Sequence, residues 1–224
     1  MKYKTCVTIA ENSSNKMKRN LKIALKKSDF VEIRFDFLKI EEIPKTLEMV
    51  KDDLKKVVCT LRPKTEGGKF EGSEKERISI LKLISEYNPF LLDIEFNTIK
   101  KDSTLAKYLK STKTNILISW HDFKKTPNFS ELKKMMSQMN KFSSNIKIVT
   151  TAKSIDDSTK TLQLYSKKGG NNLIAFAMGD KGKISRILCL YLGSPYTYVS
   201  LGKPVVSGQF SLDEIKKIIN LKIG

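Results

Sequence analysis

The chain has 224 residues, of which 40% are hydrophobic, so it is long enough to bury one substantial core. Its apolar runs are far too short to span a membrane and its first residues lack a charged-then-apolar signal pattern, so we expect a cytoplasmic protein. The formal charge of +18 makes nucleic acid the first partner to consider, but no Arg-rich arm, zinc-finger spacing or RNP-like motif accompanies that charge, so we predict no nucleic-acid binding.

Short apolar runs rich in β-branched residues alternate with helical patterns in the first half of the chain. We predict strands at residues 3–10, 29–35, 56–61 and 89–96. Helices are predicted around residues 17–25, 43–51, 73–87 and 104–110. Ser73 followed by Glu76 forms a capping box at the start of the third helix.

The second half continues the same alternation. We predict strands at residues 115–120, 146–150, 172–178 and 196–200. Ser154 and Ser211 are predicted helix N-caps. The apolar faces predicted for the four helices contain Leu132, Met135, Met136 and Met139; Ile155, Leu162 and Tyr165; Ile184, Leu188 and Tyr191; and Leu212, Ile215 and Ile219.

Eight strand–helix repeats with short connections predict parallel strands. Eight such repeats fit a (β/α)8 TIM barrel, and we predict one α/β barrel domain over residues 1–224. A doubly wound open sheet is the alternative, but no Gly-x-Gly-x-x-Gly pattern follows the first strand.

Charged residues interrupt the strands near their carboxyl ends, where the active sites of such barrels lie. A barrel strand should read as nearly continuous apolar sequence, and buried charges must be paired or serve a ligand. A structural ion pair between Glu32 and Arg34 is the alternative for those two residues. The residues of this group are Glu32, Arg34 and Asp36, which alternate along one strand, together with Arg62, Glu66 and Arg186.

A histidine and a lysine stand on neighbouring predicted strands. His121, the only histidine, follows the fifth strand, and Lys147 lies inside the sixth among apolar residues. An amine that is activated in a desolvated site can form an imine with a ketone, and a histidine can both take and give a proton near neutral pH. Lys153 is the alternative nucleophile, and a surface or core role is the alternative for His121.

Other candidate sites are weak. The three cysteines, Cys6, Cys59 and Cys189, lie in separate apolar runs, which indicates buried, reduced thiols. The glycine-bearing loop at residues 67–72 lacks the Gly-Lys-Ser/Thr of a phosphate-binding loop, so we interpret it as a mobile active-site loop. His121 has no partner at metal-ligand spacing, so we predict no metal site.

The chain resembles the type I 3-dehydroquinate dehydratases over nearly its whole length. The combination of the segment containing His121 with the strand that carries Lys147 is the most specific part of the resemblance. The matching segments, in the family's order, are Glu32 to Asp36, Thr60 to Arg62, Glu66 to Gly68, Leu92 to Glu95, Ser119 to Pro127, Ile146 to Val149, Ile184 to Arg186 and Ser207 to Gln209.

The resemblance implies a barrel that dehydrates 3-dehydroquinate through an imine on Lys147, without a metal or another cofactor. His121 would assist imine formation, remove the C2 proton and protonate the leaving C1 hydroxyl. Glu66 would orient His121 and tune its pKa. The family also implies a homodimer, for which Leu190 and Leu192 are candidate interface residues.

The resemblance assigns the remaining polar residues to substrate binding. Arg186 would hold the substrate carboxylate, for which a guanidinium fork is suited. A lid at residues 201–210 would close the site. Where some family members have a substrate-contacting serine this chain has Val205, so either Ser207 takes that role or the contact is absent. The residues that would order the ring hydroxyls and each other are Glu32, Arg34, Arg62 and Gln209.

Two other functions use part of the same pattern. A class I aldolase would also need a strand lysine, but it would release two carbon fragments and would not need the Glu66, His121 and Lys147 trio. A basic nucleic-acid-binding protein would be retained on DNA or RNA in a strongly salt-dependent way and would form no imine.

Overall fold

The structure is a computed structural model that describes residues 3–219. Eight parallel strands follow the hydrogen-bonded order β7-β6-β5-β4-β3-β2-β1-β8 and form a nearly closed barrel in a single domain, so the predicted (β/α)8 fold is confirmed. The strands are β1 (Thr5–Ile9), β2 (Phe30–Arg34), β3 (Val57–Thr60), β4 (Leu91–Glu95), β5 (Ile116–His121), β6 (Asn145–Thr151), β7 (Asn172–Met178) and β8 (Thr197–Val199).

The helices cover the outside of the barrel, and one of them, α4, was not predicted. It directly follows β4, so two short helices stand where the sequence indicates one. The α-helices described are α1 (Ser14–Leu25), α2 (Glu42–Val50), α3 (Glu74–Glu86), α4 (Phe96–Lys101), α5 (Ser103–Ser111), α6 (Phe129–Met139), α7 (Ile155–Leu162), α8 (Ser185–Tyr191) and α9 (Leu212–Ile219).

Side chains at the helix starts make the hydrogen bonds that the sequence predicts. Ser73 caps α3 and Ser154 caps α7, each in a reciprocal box with the third residue of its helix. Ser211 and Glu214 exchange the same bonds at the start of α9. These bonds satisfy backbone N–H groups that have no partner inside the helix.

The inward-facing strand residues change character along the barrel axis. Because side chains alternate along a strand, Cys6, Val58, Leu117 and Tyr196 face the interior together, where they form an apolar floor. Two or more residues further on, toward the carboxyl ends, most inward positions of β1 to β5 and one of β6 are polar or charged, whereas Val149 and Phe176 stay apolar. The polar or charged positions are Thr8, Glu32, Arg34, Thr60, Asp93, Glu95, Ser119, His121 and Lys147. The floor therefore supports a charged rim, where the sequence places the site.

One predicted helix face is wrong and another is wrong at one residue. Ile184, Leu188 and Tyr191 form an outward stripe along α8. Ile155 in α7 is 61% exposed, whereas Leu162 and Tyr165, predicted for the same face, pack on the core. The side of α8 that faces the barrel contains Arg186 instead, together with small and apolar neighbours. Helical spacing identifies residues that share a face, but it does not determine whether that face is covered.

The other burial predictions are confirmed. Leu132, Met136 and Met139 of α6 are buried, Met135 is half-buried against the core, and the three cysteines are buried free thiols. None of the helices within residues 3–219 combines the length and apolar character that a membrane crossing requires.

Candidate active site

All eight residues predicted for the site line one pocket at the carboxyl ends of the strands. The space between the lining atoms, including the open mouth of the pocket, is about 550 Å³. These eight residues are Glu32, Arg34, Arg62, Glu66, His121, Lys147, Arg186 and Gln209. Apolar side chains, among them Phe123, Phe176, Tyr198 and Val205, complete the walls.

Lys147 occupies the middle of β6, beside Ser119 of β5 and Ile174 of β7. Its residue is only 5% exposed, and its Nζ lies 3.4 Å from Asp93 Oδ2 and 3.6 Å from Glu32 Oε1. The same Nζ lies 4.2 Å from the centre of the Tyr198 ring. Two carboxylates and an aromatic face therefore hold the amine at one place in the pocket.

Arg62 forms hydrogen-bonded ion pairs with both carboxylates of β4. Its guanidinium donates to Asp93 Oδ2 at 2.6 Å, to Glu95 Oε1 at 3.0 Å and to Ser119 Oγ at 2.8 Å. Burial alone would raise the pKa of Asp93, but Arg62 and Lys147 hold that pKa below its usual value. Asp93 is therefore an anion that links Arg62 to Lys147. Most donors of Arg62 are used by the protein, so the structure favours an organising role over direct contact with substrate hydroxyls.

Arg77, on α3, is a buried arginine that the sequence analysis missed. It donates to Glu95 Oε2 at 2.6 Å and to the Leu61 carbonyl at 3.1 Å. Glu95 is thus held between Arg77 on one side and Arg62 on the other. The available signal was helical periodicity, because Arg77 shares a spacing of four and then three residues with the buried Leu81 and Ile84.

His121 is the last residue of β5, whereas the prediction ended this strand one residue before it. Its Nδ1 lies 3.3 Å from Arg62 Nη1 and 3.6 Å from Glu66 Oε2. The imidazole stacks on Phe123, with ring centres 6.0 Å apart and planes at 16°. Burial, followed by the positive charges of Arg62 and Lys147, lowers the pKa of His121 well below 6.5. The imidazole is therefore neutral near pH 7 and able to accept a proton.

Glu66 follows β3 and faces the same imidazole. Its Oε1 accepts a hydrogen bond from Asn97 at 3.1 Å, whereas the buried Oε2 has no hydrogen-bond partner within residues 3–219. Burial and then the charge of Glu95 raise the pKa of Glu66 to about 7. This carboxyl group can therefore hold or release a proton near neutral pH, which suits a partner of an acid–base residue.

Gly67 lets the loop that carries Glu66 pass close to the histidine loop. It has a positive φ of 75°, and a Cβ added there would lie 2.4 Å from the Phe123 ring. The aromatic ring that stacks on His121 therefore packs directly against this backbone. A side chain at position 67 would separate the loop of Glu66 from that of His121.

Arg186 is the least compensated charge in the pocket. Its residue is 1% exposed, its guanidinium lies 4.2 Å from the centre of the Phe176 ring, and no acidic side chain within residues 3–219 forms an ion pair with it. Its buried Nε likewise has no hydrogen-bond partner in that range. Burial lowers the pKa of Arg186 to about 10, which still leaves it charged near pH 7. An unpaired buried guanidinium is built to receive an anion.

The remaining predicted residues of the pocket are Glu32, Arg34 and Gln209. Arg34 forms a two-point ion pair with Asp36, with distances of 2.8 and 2.7 Å. Glu32 therefore pairs with Lys147 rather than with Arg34, which goes against the alternative of a structural Glu32–Arg34 pair. Gln209, near the end of the lid, is buried and accepts a hydrogen bond from the Val205 N–H.

The lid presents apolar side chains to the pocket at the position of the family's serine. Val205 and Val206 both line the pocket, whereas Ser207 is exposed and lies outside its lining. In this arrangement Ser207 does not replace the family's serine contact.

The sequence of the chain matches a known family over its length. A model of the family described as type I 3-dehydroquinase matches residues 5–223. The chain belongs to the type I 3-dehydroquinase family. A 3-dehydroquinate dehydratase from Pyrococcus abyssi is 37% identical over 201 residues, which are 89% of this chain and 90% of the relative. Membership makes the protein an enzyme of the hydro-lyase class.

Solved structures of 3-dehydroquinate dehydratases have the same fold. The enzyme from Aquifex aeolicus aligns with a TM-score of 0.80 at 28% identity and covers 98% of each chain. The enzyme from Geobacillus kaustophilus aligns with a TM-score of 0.89, over 99% of this chain and 91% of its own. At 21% identity this second likeness bears on the fold alone.

Proposed function

We propose that the pocket converts 3-dehydroquinate to 3-dehydroshikimate through an imine on Lys147, as a step of the shikimate pathway of aromatic amino acid biosynthesis. One observation carries the proposal: a buried lysine on β6 lines the same pocket as the neutral imidazole at the end of the neighbouring strand β5. A lysine and a proton carrier in one pocket are what an imine-based elimination requires.

The first step forms the imine. Lys147 first gives a proton to the neutral imidazole of His121, and the free amine then attacks the C3 carbonyl carbon. His121 returns that proton to the carbinolamine oxygen, which leaves as water and gives a protonated imine. Asp93 and Glu32, which lie within 4 Å of Nζ, are placed to stabilise the cation that forms there. The positive nitrogen then withdraws electrons from the adjacent carbon C2.

The second step is the elimination. His121 removes a proton from C2, and the electron pair of that C–H bond moves into the imine to give an enamine. The enamine returns the pair as the C1–O bond breaks, and His121 transfers the same proton to the leaving hydroxyl. Because one imidazole takes and gives the proton, C2–H and C1–OH leave from the same face, which makes the elimination syn. Addition of water to C3 then releases the product and the free amine.

Arg186 is proposed to bind the substrate carboxylate. Arg186→Met should raise KM by about 100-fold with a smaller effect on kcat, because it removes a charge-assisted bond made in both the ground and transition states. It should also raise the thermal unfolding midpoint of the free protein, since it removes an uncompensated buried charge. Steady-state kinetics and thermal denaturation measure the two effects.

Arg186→Lys is the matched control for this prediction. It keeps the charge but not the planar fork, so its KM should lie between those of the wild type and of Arg186→Met. An unchanged KM in the methionine variant would exclude Arg186 as the carboxylate site.

Borohydride reduction in the presence of 3-dehydroquinate, followed by mass mapping of peptides, tests the mechanism directly. We expect one ligand-derived adduct, on Lys147. An adduct on Lys153, which is exposed, would keep the imine and move the nucleophile. Full activity without an adduct would mean elimination without an imine, and absence of both would contradict the proposed substrate.

We further propose the homodimer that the family implies. Leu190, one of the two candidate interface residues, is 2% exposed and packs inside the protomer, so it is unsuited to that role. Leu192 is 44% exposed and lies beside the exposed stripe of α8, so it stays a candidate. The cytoplasmic location and the absence of a cofactor also stay predictions.

A further inference from the structure

The lid at residues 201–210 is anchored at its base. The Ser200 N–H donates to the Phe210 carbonyl at 3.0 Å, and the Leu212 N–H donates to the Ser200 carbonyl at 2.9 Å. These two bonds close the ends of the loop on each other. Val205 and Val206, in the middle of the loop, contact the pocket. The lid therefore meets the pocket through residues that lie between these joined ends.

A chain of hydrogen bonds runs from the middle of the lid to the proposed nucleophile. The Val205 N–H donates to Gln209 Oε1 at 3.0 Å, and Gln209 Nε2 donates to Thr8 Oγ1 at 3.2 Å. The Thr8 hydroxyl donates to Glu32 Oε2 at 3.0 Å. The other oxygen of Glu32 lies 3.6 Å from Lys147 Nζ. Thr8, on β1, is the central residue of this chain, and the sequence analysis did not select it.

The direction of these bonds is fixed by chemistry. The Glu32 carboxylate can only accept, so the single hydroxyl proton of Thr8 is committed to it. Thr8 can then only accept from Gln209, which requires the amide nitrogen on that side. The amide oxygen must therefore face the Val205 N–H, as it does. Thr8, Glu32 and Gln209 are all buried, so water offers little substitute for a broken bond.

We propose that Thr8 is a positioning residue that couples closure of the lid to the orientation of Glu32 against Lys147. The inference rests on the proposed function for its effect on turnover. When the lid is closed, Gln209 holds Thr8 and Thr8 holds the carboxylate beside the amine. The coupling is reciprocal, so a correctly placed Glu32 also favours the closed lid.

Thr8→Val and Thr8→Ser test the coupling as a matched pair. Valine keeps the shape and removes the hydroxyl, whereas serine keeps the hydroxyl and loses a methyl group. The first measurement is hydrogen exchange of the Val205 amide in the protein without substrate. We expect Thr8→Val to exchange about tenfold faster than wild type, because one buried hydrogen bond that holds the lid is lost, and Thr8→Ser to stay close to wild type.

The second measurement is turnover of 3-dehydroquinate and the rate of borohydride-trapped imine formation. Thr8→Val should lower kcat and the trapping rate by about tenfold with a smaller change in KM, and serine should restore both. Equal thermal midpoints of the two variants would show that folding is not the cause. If the Val205 amide exchanges faster in Thr8→Val but the wild-type protein does not turn over 3-dehydroquinate, the contact between Thr8 and the lid stands and the proposed function is refuted.

Three outcomes overturn the coupling. If Thr8→Ser is as impaired as Thr8→Val, the methyl group and not the hydroxyl matters. If Thr8→Val slows turnover while the Val205 amide exchanges at the wild-type rate, Thr8 does not hold the lid. If the lid loosens but imine trapping is unchanged, the lid is not coupled to Lys147.

Discussion

Lys147→Met is expected to give a folded protein with kcat reduced by on the order of 10⁵-fold or more and no borohydride-dependent adduct. Without the amine there is no imine, and without the imine no electron sink accepts the pair from C2. Asp93 keeps its bonds to Arg62 and Ser119 in this variant, and Glu32 keeps its two hydroxyl donors. Loss of activity would therefore not follow from collapse of the charged rim.

Formation of the unsaturated product, followed by its ultraviolet absorbance, measures the loss. Lys153→Met is the matched control, because it removes a lysine six positions further along the chain, at an exposed site. The control should turn over at the wild-type rate. Near-normal turnover in Lys147→Met would refute the imine mechanism.

His121→Ala is expected to separate imine formation from elimination. The imine should still form slowly on Lys147, but turnover should fall by about 10²- to 10⁴-fold, because the imidazole that removes and returns the C2 proton is gone. Borohydride should therefore trap a substrate-derived adduct, heavier by one water than an adduct that has undergone elimination. Mass spectrometry of the reduced protein distinguishes the two.

Phe123→Leu provides the comparison for this variant. It removes the ring that stacks on the imidazole but leaves His121, Glu66 and Arg62 in place, so it should keep most of the activity. If His121→Ala turned over within threefold of wild type, the proton carrier would have to be another group. The raised pKa of Glu66 makes that carboxyl the first group to examine.

The barrel and most of the pocket could be predicted because the position of a residue within a strand determines the direction of its side chain. Glu32 and Arg34 alternate within an otherwise buried strand, and Lys147 interrupts an apolar one. In a parallel barrel such residues must turn inward, and their positions near the carboxyl ends bring them together. The family resemblance then assigned roles that periodicity does not give.

What could not be predicted depends on contacts between distant segments. Arg77 reaches Glu95, on a different element, and nothing local marks either residue as the other's partner. Thr8 looks like an ordinary strand threonine until Gln209 is placed against it. The outward stripe of α8 was assigned to the wrong side because Arg186, a charged residue, takes the inward position.

The barrel interior has an apolar floor, which stabilises the fold, and a charged rim at the carboxyl ends of the strands, which contains the proposed catalytic groups. Replacing a buried ion network by well-packed apolar side chains commonly leaves a protein as stable or more so, which means that the rim is maintained by selection for activity. The floor carries no such constraint. Val58, Leu91 and Leu117 can therefore be repacked to make a more heat-resistant catalyst without altering the groups that meet the substrate.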